Sequence, residues 1–143
     1  MTETVPTVGT NLIRLSFKKN NRSTTIQEIG GEMQELWSQY FDDSDAIMYV
    51  IDQSSAIDIS SNCIRMLEIL THKNVANIKP ILLVLNKADV SGPFGVKDVV
   101  EALLIPEMMK SFPSNYINLI ECSCCNGQGI NEVMRWIEQL AKK

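Results

Sequence analysis

Ile81-Leu82-Leu83-Val84-Leu85 runs without a break into Asn86-Lys87-Ala88-Asp89. A short apolar run between Pro80 and a polar quartet reads as a strand buried on both faces, the kind found inside a helix-covered parallel sheet. Its neighbours fit that frame. Upstream, Ala46 to Ile51 is a second short apolar run ending at Asp52, and Ser54 to about Lys73 carries Ile59, Cys63, Met66, Leu67 and Leu70 at helical spacing. Downstream, Val96, Val99, Val100, Leu103 and Leu104 predict a short helix stopped near Pro106, and Tyr116 to Glu121 predicts the last strand. Ile130, Val133, Ile137 and Leu140 then form a final helical stripe after Gly127-Gln128-Gly129. The chain opens differently. Ile13, Leu15 and Phe17 alternate within Asn11 to Phe17, Lys18 to Ser23 is a polar turn, and Thr24 to Ile29 is a strand stopped by Gly30-Gly31, so a hairpin is expected. Met33, Leu36, Trp37, Tyr40 and Phe41 predict a helix behind it. The expectation is an α/β fold with a mostly parallel sheet and helices on both faces.

Composition narrows the function. The 143 residues are 45% hydrophobic and 21% charged, a globular balance that suits one domain with one core. A net charge of −4 argues against a nucleic-acid partner, because phosphate backbones favour basic faces. No apolar run approaches the length of a membrane span, Met1-Thr2-Glu3-Thr4 is no signal peptide, and position 2 lacks the glycine that N-myristoylation needs. Cys63, Cys122, Cys124 and Cys125 show neither a disulfide framework nor paired zinc spacing, so reduced thiols buried at strand ends and a cytoplasmic setting are expected. His72, the only histidine, falls on a predicted helix away from the strand ends, which speaks against general acid–base chemistry. Asp42-Asp43-Ser44-Asp45 reads as a solvated turn.

In sheets of this class ligands sit beyond the carboxyl ends of the strands. Three segments fall there. Asn86-Lys87-Ala88-Asp89 has the groups to read guanine: Asp89 can accept from N1–H and the exocyclic amine, Asn86 can hold the carbonyl side and the nearby loops, and the Lys87 stem can cover the base. Adenine would leave Asp89 unpaired, which is costly in a dry site. Ser123-Cys124-Cys125, otherwise a plain strand-to-helix loop, could donate backbone N–H groups to O6, chiefly that of Cys124. Glu28-Ile29-Gly30-Gly31-Glu32 could be a simple tight turn. Alternatively Gly31 N–H meets a phosphate, Glu28 acts behind a metal through water, and Glu32 sits where an attacking water is oriented. Pro6-Thr7-Val8-Gly9 is either a frayed terminus or a switch segment whose Thr7 meets Mg²⁺ and the terminal phosphate.

Taken in order, Pro6-Thr7-Val8-Gly9, Glu28-Ile29-Gly30-Gly31, Asn86-Lys87-Ala88-Asp89 and Ser123-Cys124-Cys125 resemble the motif series of a Ras-type GTPase. The Gly-Gly pair and Pro6-Thr7-Val8-Gly9-Thr10-Asn11 look like the ADP-ribosylation-factor-like family, and the resemblance spans essentially the whole chain. It implies a Ras-like P-loop NTPase three-layer sandwich as one domain over residues 1–143. It also implies GTP or GDP and Mg²⁺ as ligands, effector or regulator proteins as partners, and a GTP-binding molecular switch as the role. Thr7 and Glu28 would serve the metal, and Gly31, Asn86, Lys87, Asp89, Ser123, Cys124 and Cys125 the nucleotide. Glu32 takes the position of the catalytic glutamine.

The chain departs from that family in two ways. Glu28 replaces an aspartate and Glu32 a glutamine, and a carboxylate cannot supply the donor that glutamine gives the terminal phosphate. No G-x-x-x-x-G-K-[ST] occurs in these residues, and the chain starts at the first switch rather than at the strand, phosphate loop and first helix that precede it in the family. The expectation is an N-terminally incomplete domain, two sheet edges left where a central strand would lie, and weak GTP binding. A nucleotide-independent protein-interaction module and a truncated isoform are the alternatives.

Overall fold

The apolar run at 81–85 is the centre of a parallel sheet. The structure, a computed structural model, describes residues 9–55, 58–73, 75, 79–90, 96–111 and 117–142. Strand β4 (Ile81–Asn86) lies between β3 (Ile47–Asp52) and β5 (Ile117–Glu121), parallel to both. Ile47 pairs with Ile81 and Ile81 with Ile117, so the three strands start level and end level. Flanked on both sides and covered on both faces, β4 has every residue from Ile81 to Leu85 at 3% exposure or less. This is why its sequence is apolar without alternation. On β3 the faces differ: Tyr49 and Ile51 are buried, but Val50 is 53% exposed.

Helix α2 (Ile59–Thr71) supplies Met66, Ile69 and Leu70 to this core. Its buried face differs from the predicted stripe. Leu67 is exposed, Ile59 and Cys63 are half-buried, and polar Asn62 is buried in their place. The cause is a single bond: the Tyr49 hydroxyl donates to Asn62 Oδ1 at 2.7 Å, satisfying both groups inside the core. The predicted helix ending near Pro106 is also corrected. Helix α3 (Val96–Ala102) is followed by a two-residue turn with Leu104 left-handed, φ 55°, and α4 (Ile105–Ser111) begins immediately after it. Pro106 lies in the first turn of α4, where its missing N–H costs no helix bond. Val99, Leu103, Ile105 and Met108 carry the pair into the core. These elements and the start of α5 (Ile130–Leu140) form one compact unit, residues 44–133.

A second unit comprises residues 1–43 and 134–143. Its core element is the predicted hairpin, β1 (Thr10–Phe17) antiparallel to β2 (Arg22–Ile29), paired without a bulge from Thr10–Ile29 to Phe17–Arg22. The last residues of the chain close it. Ser23 N–H donates to the Lys142 carbonyl at 2.9 Å, and Asn20 Nδ2 donates to Glu138 Oε1 at 2.5 Å. Beyond β2 the predicted helix starts as a 3-10 segment, Gly31–Leu36, broken at Met33, and becomes α-helical only as α1 (Trp37–Phe41). None of its residues is buried, so no apolar stripe locks a longer α-helix there. The strands thus form two separate sheets, and among the described residues β3 pairs on one side only.

Candidate functional site

Level strand ends bring the polar residues after β3, β4 and β5 together. Asp52 is in register with Asn86, and Leu85 with Glu121. The two loops beyond them are joined by backbone bonds, Cys122 N–H to the Leu85 carbonyl at 2.8 Å and Ala88 N–H to the Cys122 carbonyl at 3.0 Å. Gln53 N–H reaches the Asn86 carbonyl at 3.2 Å. The same turn holds Lys87 in the left-handed region, φ 65°. Such a conformation is costly for a residue with a side chain and persists only where its surroundings impose it.

The side chains complete the junction. Ser123 is fully buried, and its hydroxyl donates to Asp89 Oδ1 at 2.6 Å while accepting Asn126 N–H at 3.2 Å. Asp89 is itself exposed. One carboxylate oxygen is therefore anchored and the group is aimed. Asn86 Oδ1 accepts Cys124 N–H at 3.1 Å and the Cys122 thiol at 3.6 Å. Cys124 N–H, expected to meet a base carbonyl, is thus held by Asn86, and a carbonyl acceptor would compete for it. Asn86, Lys87, Asp89, Ser123 and Cys124 are all parts of one junction. Cys125 is exposed beside it, and among the described residues no contact assigns it a task. The expectation of buried thiols holds for Cys122, whose thiol burial pushes up to about 11, and fails for Cys124 and Cys125, which face solvent.

Lys87 Nζ pairs with Asp52 Oδ2 at 2.8 Å, which stretches its stem across the junction. Asp52 Oδ1 meanwhile accepts the Ser54 hydroxyl at 2.6 Å and Ser54 N–H at 2.9 Å. Burial pushes the Asp52 carboxyl up, but the bonds from Lys87 and Ser54 outweigh it, so it titrates below its ordinary value of 3.8. A carboxyl lowered in the folded state adds stability that is complete above its unfolded value and is lost as pH falls through the folded value. The pair should therefore persist at neutral pH and dissolve only at pH below 3.8. Because both side chains are partly in water, its stability contribution should stay below ~1 kcal/mol. An NMR pH titration checks this: the Lys87 side-chain signals should move with Asp52, and Asp52→Asn should abolish that step.

The remaining predicted residues belong to the other unit. Thr7 lies outside the described residues. Glu28 is exposed and accepts Asn11 Nδ2 at 3.0 Å across the hairpin. Gly30 is buried and pinned, its N–H donating to the Gly9 carbonyl at 3.0 Å and its carbonyl accepting Met33 N–H at 3.0 Å and the Trp37 indole at 3.1 Å. Gly31 has open space where a Cβ would stand and no positive φ, so nothing in its own packing requires glycine. Glu32 is exposed in the first turn behind it. Among the described residues no three His, Cys, Asp or Glu side chains gather as a metal site.

Sequence reasoning missed Asp52, Gln53 and Gly129. Gln53 is buried, with Nε2 within 3.5 Å of the Leu85 carbonyl and 3.4 Å of Glu121 Oε1. Gly129 has φ +74° and stands so close to the end of β5 that a Cβ would lie 2.2 Å from the Glu121 carbonyl oxygen. The available signal was register: once three parallel strands end level, the residue after each belongs to one site.

A sequence profile of the ADP-ribosylation factor family matches residues 1–141. Human ADP-ribosylation factor-like protein 16 is 29% identical over 135 residues, covering 94% of this chain and 66% of its own length. ADP-ribosylation factor-like protein 3 of Chlamydomonas reinhardtii is 28% identical over 144 residues, covering 99% of this chain and 77% of its own. In structure, the chain is similar to the Arl6 BBS3 small GTPase from Trypanosoma brucei, solved with bound nucleotide analogue GppNp. The TM-score is 0.79 at 22% identity over 97% of this chain and 83% of the other. The fold is thereby the Ras-like α/β fold of small GTPases.

Proposed function

The chain belongs to the ADP-ribosylation factor family, and from that premise we propose that it is a guanine-nucleotide switch protein whose base-reading site is the junction after β4 and β5. The observation that carries the reading is the anchored carboxylate: Ser123 holds one oxygen of exposed Asp89 at 2.6 Å, leaving its acceptors aimed outward. Guanine presents two adjacent donors, N1–H and the exocyclic amine, that such a carboxylate accepts together. Lys87, stretched toward Asp52, offers its aliphatic stem to the face of the base. Cys124 N–H, exchanged from Asn86, meets O6. Adenine has an acceptor at N1 and would leave both the carboxylate and that N–H unsatisfied.

These residues contain no phosphate-gripping loop, so the selectivity they impart comes with weak affinity. In the same reading Thr7 and Glu28 would serve a metal and Gly31 a phosphate, and Glu32, an acceptor without a donor, would make hydrolysis slow. Partner proteins would dock in the cytoplasm on the hairpin unit, where Leu12 is 71%, Ile13 48% and Leu36 40% exposed. No described helix is long and apolar enough to cross a membrane.

Titrating the isotope-labelled chain with GDP and with ADP tests the site. Millimolar GDP should shift the Ala88, Asp89 and Cys124 amides, whereas ADP should leave them in place. Equal responses to both nucleotides would sink the base-reading assignment. Tight stoichiometric GTP binding by calorimetry with Mg²⁺ would overturn the weak-affinity half alone.

A further inference from the structure

Cys122, Cys124 and Cys125 share the loop after β5, and the first two converge on one oxygen. Cys122 is 1% exposed and locked by its backbone, its N–H on the Leu85 carbonyl and its carbonyl accepting Ala88 N–H. Its thiol lies 3.6 Å from Asn86 Oδ1. Cys124 N–H donates to that same Oδ1 at 3.1 Å, while Cys124 itself is exposed. Between them Ser123 is fully buried and holds Asp89. The two thiols stand close enough to act on one another: burial first, then the Cys124 thiol and Glu121, push Cys122 up to about 11. A buried thiol that stays protonated is thus set beside one that a solute can reach. Cys125 cannot take the place of Cys122. Adjacent residues across a trans peptide keep their Cα atoms about 3.8 Å apart, short of the roughly 4.4–6.8 Å that a disulfide spans.

We propose that Cys122 and Cys124 are a redox pair that hydrogen peroxide closes into a disulfide, unhooking Asn86 from the loop after β5. Exposed Cys124 is the attacking thiol. Its sulfur takes one peroxide oxygen, the O–O bond breaks, and the departing hydroxide takes up the thiol proton as water, leaving Cys124 as the sulfenic acid. Cys122 Sγ then attacks that sulfur, the S–O bond breaks, and hydroxide leaves with the Cys122 proton as a second water. The two thiols give up two electrons and two protons, and the peroxide is reduced to water. A dithiol reductant reverses the bond by exchange. Closure acts on the junction directly. Cys122 no longer has a proton to offer Asn86 Oδ1, and Cys124 Cβ is drawn in from solvent, which turns its N–H away from the same oxygen. The ring so formed includes Ser123, whose hydroxyl aims Asp89. The bond itself is independent of the guanine reading, whereas its effect on the base rests on that reading.

The test treats the reduced full chain with hydrogen peroxide, then alkylates it in denaturant and maps the peptides. Cys122 and Cys124 should be protected until a dithiol is added, while Cys63 and Cys125 label from the start. Cys125→Ser should keep the bond, and Cys124→Ser should lose it and leave Cys122 free to label. In the folded chain, closure should shift the Asn86 side-chain amide and the Ala88, Ser123 and Cys124 N–H signals, and reduction should restore them. A bond to Cys63 or Cys125, a link between chains in place of the internal one, a Cys124 sulfinic acid with Cys122 still free, or an unmoved Asn86 signal overturns the proposal. GDP then reads the consequence for the base. The oxidised chain should bind it about tenfold more weakly than the reduced chain. Equal GDP binding by the two forms overturns the effect on the base. Equal responses of the reduced chain to GDP and ADP strike the base-reading assignment alone, because alkylation reports the disulfide without any nucleotide.

Discussion

Gly129→Ala is expected to lower the stability of the fold by roughly 2–4 kcal/mol. The added Cβ would stand 2.2 Å from the Glu121 carbonyl oxygen and 3.1 Å from Cys122 Cα and Cβ. These are backbone and near-backbone atoms at the end of β5, with no flexible tip to swing aside. The residue also sits at φ +74°, where alanine is strained even in open space. Relief requires moving the end of β5 or the start of α5, whose Glu132 and Val133 N–H groups donate to the Gly129 carbonyl at 3.1 and 3.2 Å. Strain and displacement together should cost roughly 2–4 kcal/mol, against a typical domain stability of about 5–15 kcal/mol. Denaturant titration of the two proteins reads this directly. A change within ~0.5 kcal/mol would mean that the loop has a second packing.

Asp89→Asn should exchange guanine for xanthine. Asparagine keeps one acceptor and replaces the other with a donor. Xanthine differs from guanine by a carbonyl in place of the exocyclic amine, so the exchanged pair is complementary again. Ser123 can still donate to the amide oxygen, which leaves the junction intact. Guanine affinity should fall about 10- to 100-fold, the effect of losing a hydrogen bond to a charged group, and xanthine affinity should rise. Competition between GDP and its xanthine analogue on the two proteins measures the ratio. If both bases weaken together, Asp89 supports the loop and does not read the base.

Much of the parallel unit was open to inspection in the amino-acid order. Ile81 to Leu85 is apolar because both faces of β4 are covered, and that pattern has few other causes. In the hairpin the alternation marked the strands, although no residue of β1 or β2 is buried. What escaped depended on partners distant in the chain. Asn62 looks misplaced in an apolar stripe until the Tyr49 hydroxyl is found 2.7 Å away. Pro106 reads as a stop from either side, and only the turn at Leu103-Leu104 makes it a beginning. In the candidate site, the quartet from Asn86 to Asp89 was visible as residue types. Its geometry was not. Neither the left-handed Lys87 nor the pairing of its ammonium with Asp52 leaves a mark on local pattern, because both follow from how three strand ends line up.

The closure of the hairpin by α5 has a consequence for synthesis. Asn20 and Glu138 are 118 positions apart, so the hairpin emerges from a ribosome long before its partner exists. At roughly 5–20 residues per second the wait is on the order of 6–24 s. The stretch 44–133, by contrast, is built from strand–helix–strand steps between near neighbours and can assemble as it emerges. For that interval Asn20 and Ser23 wait without the partners that Glu138 and Lys142 later supply, a delay fixed by where the hairpin's last contacts lie in the gene.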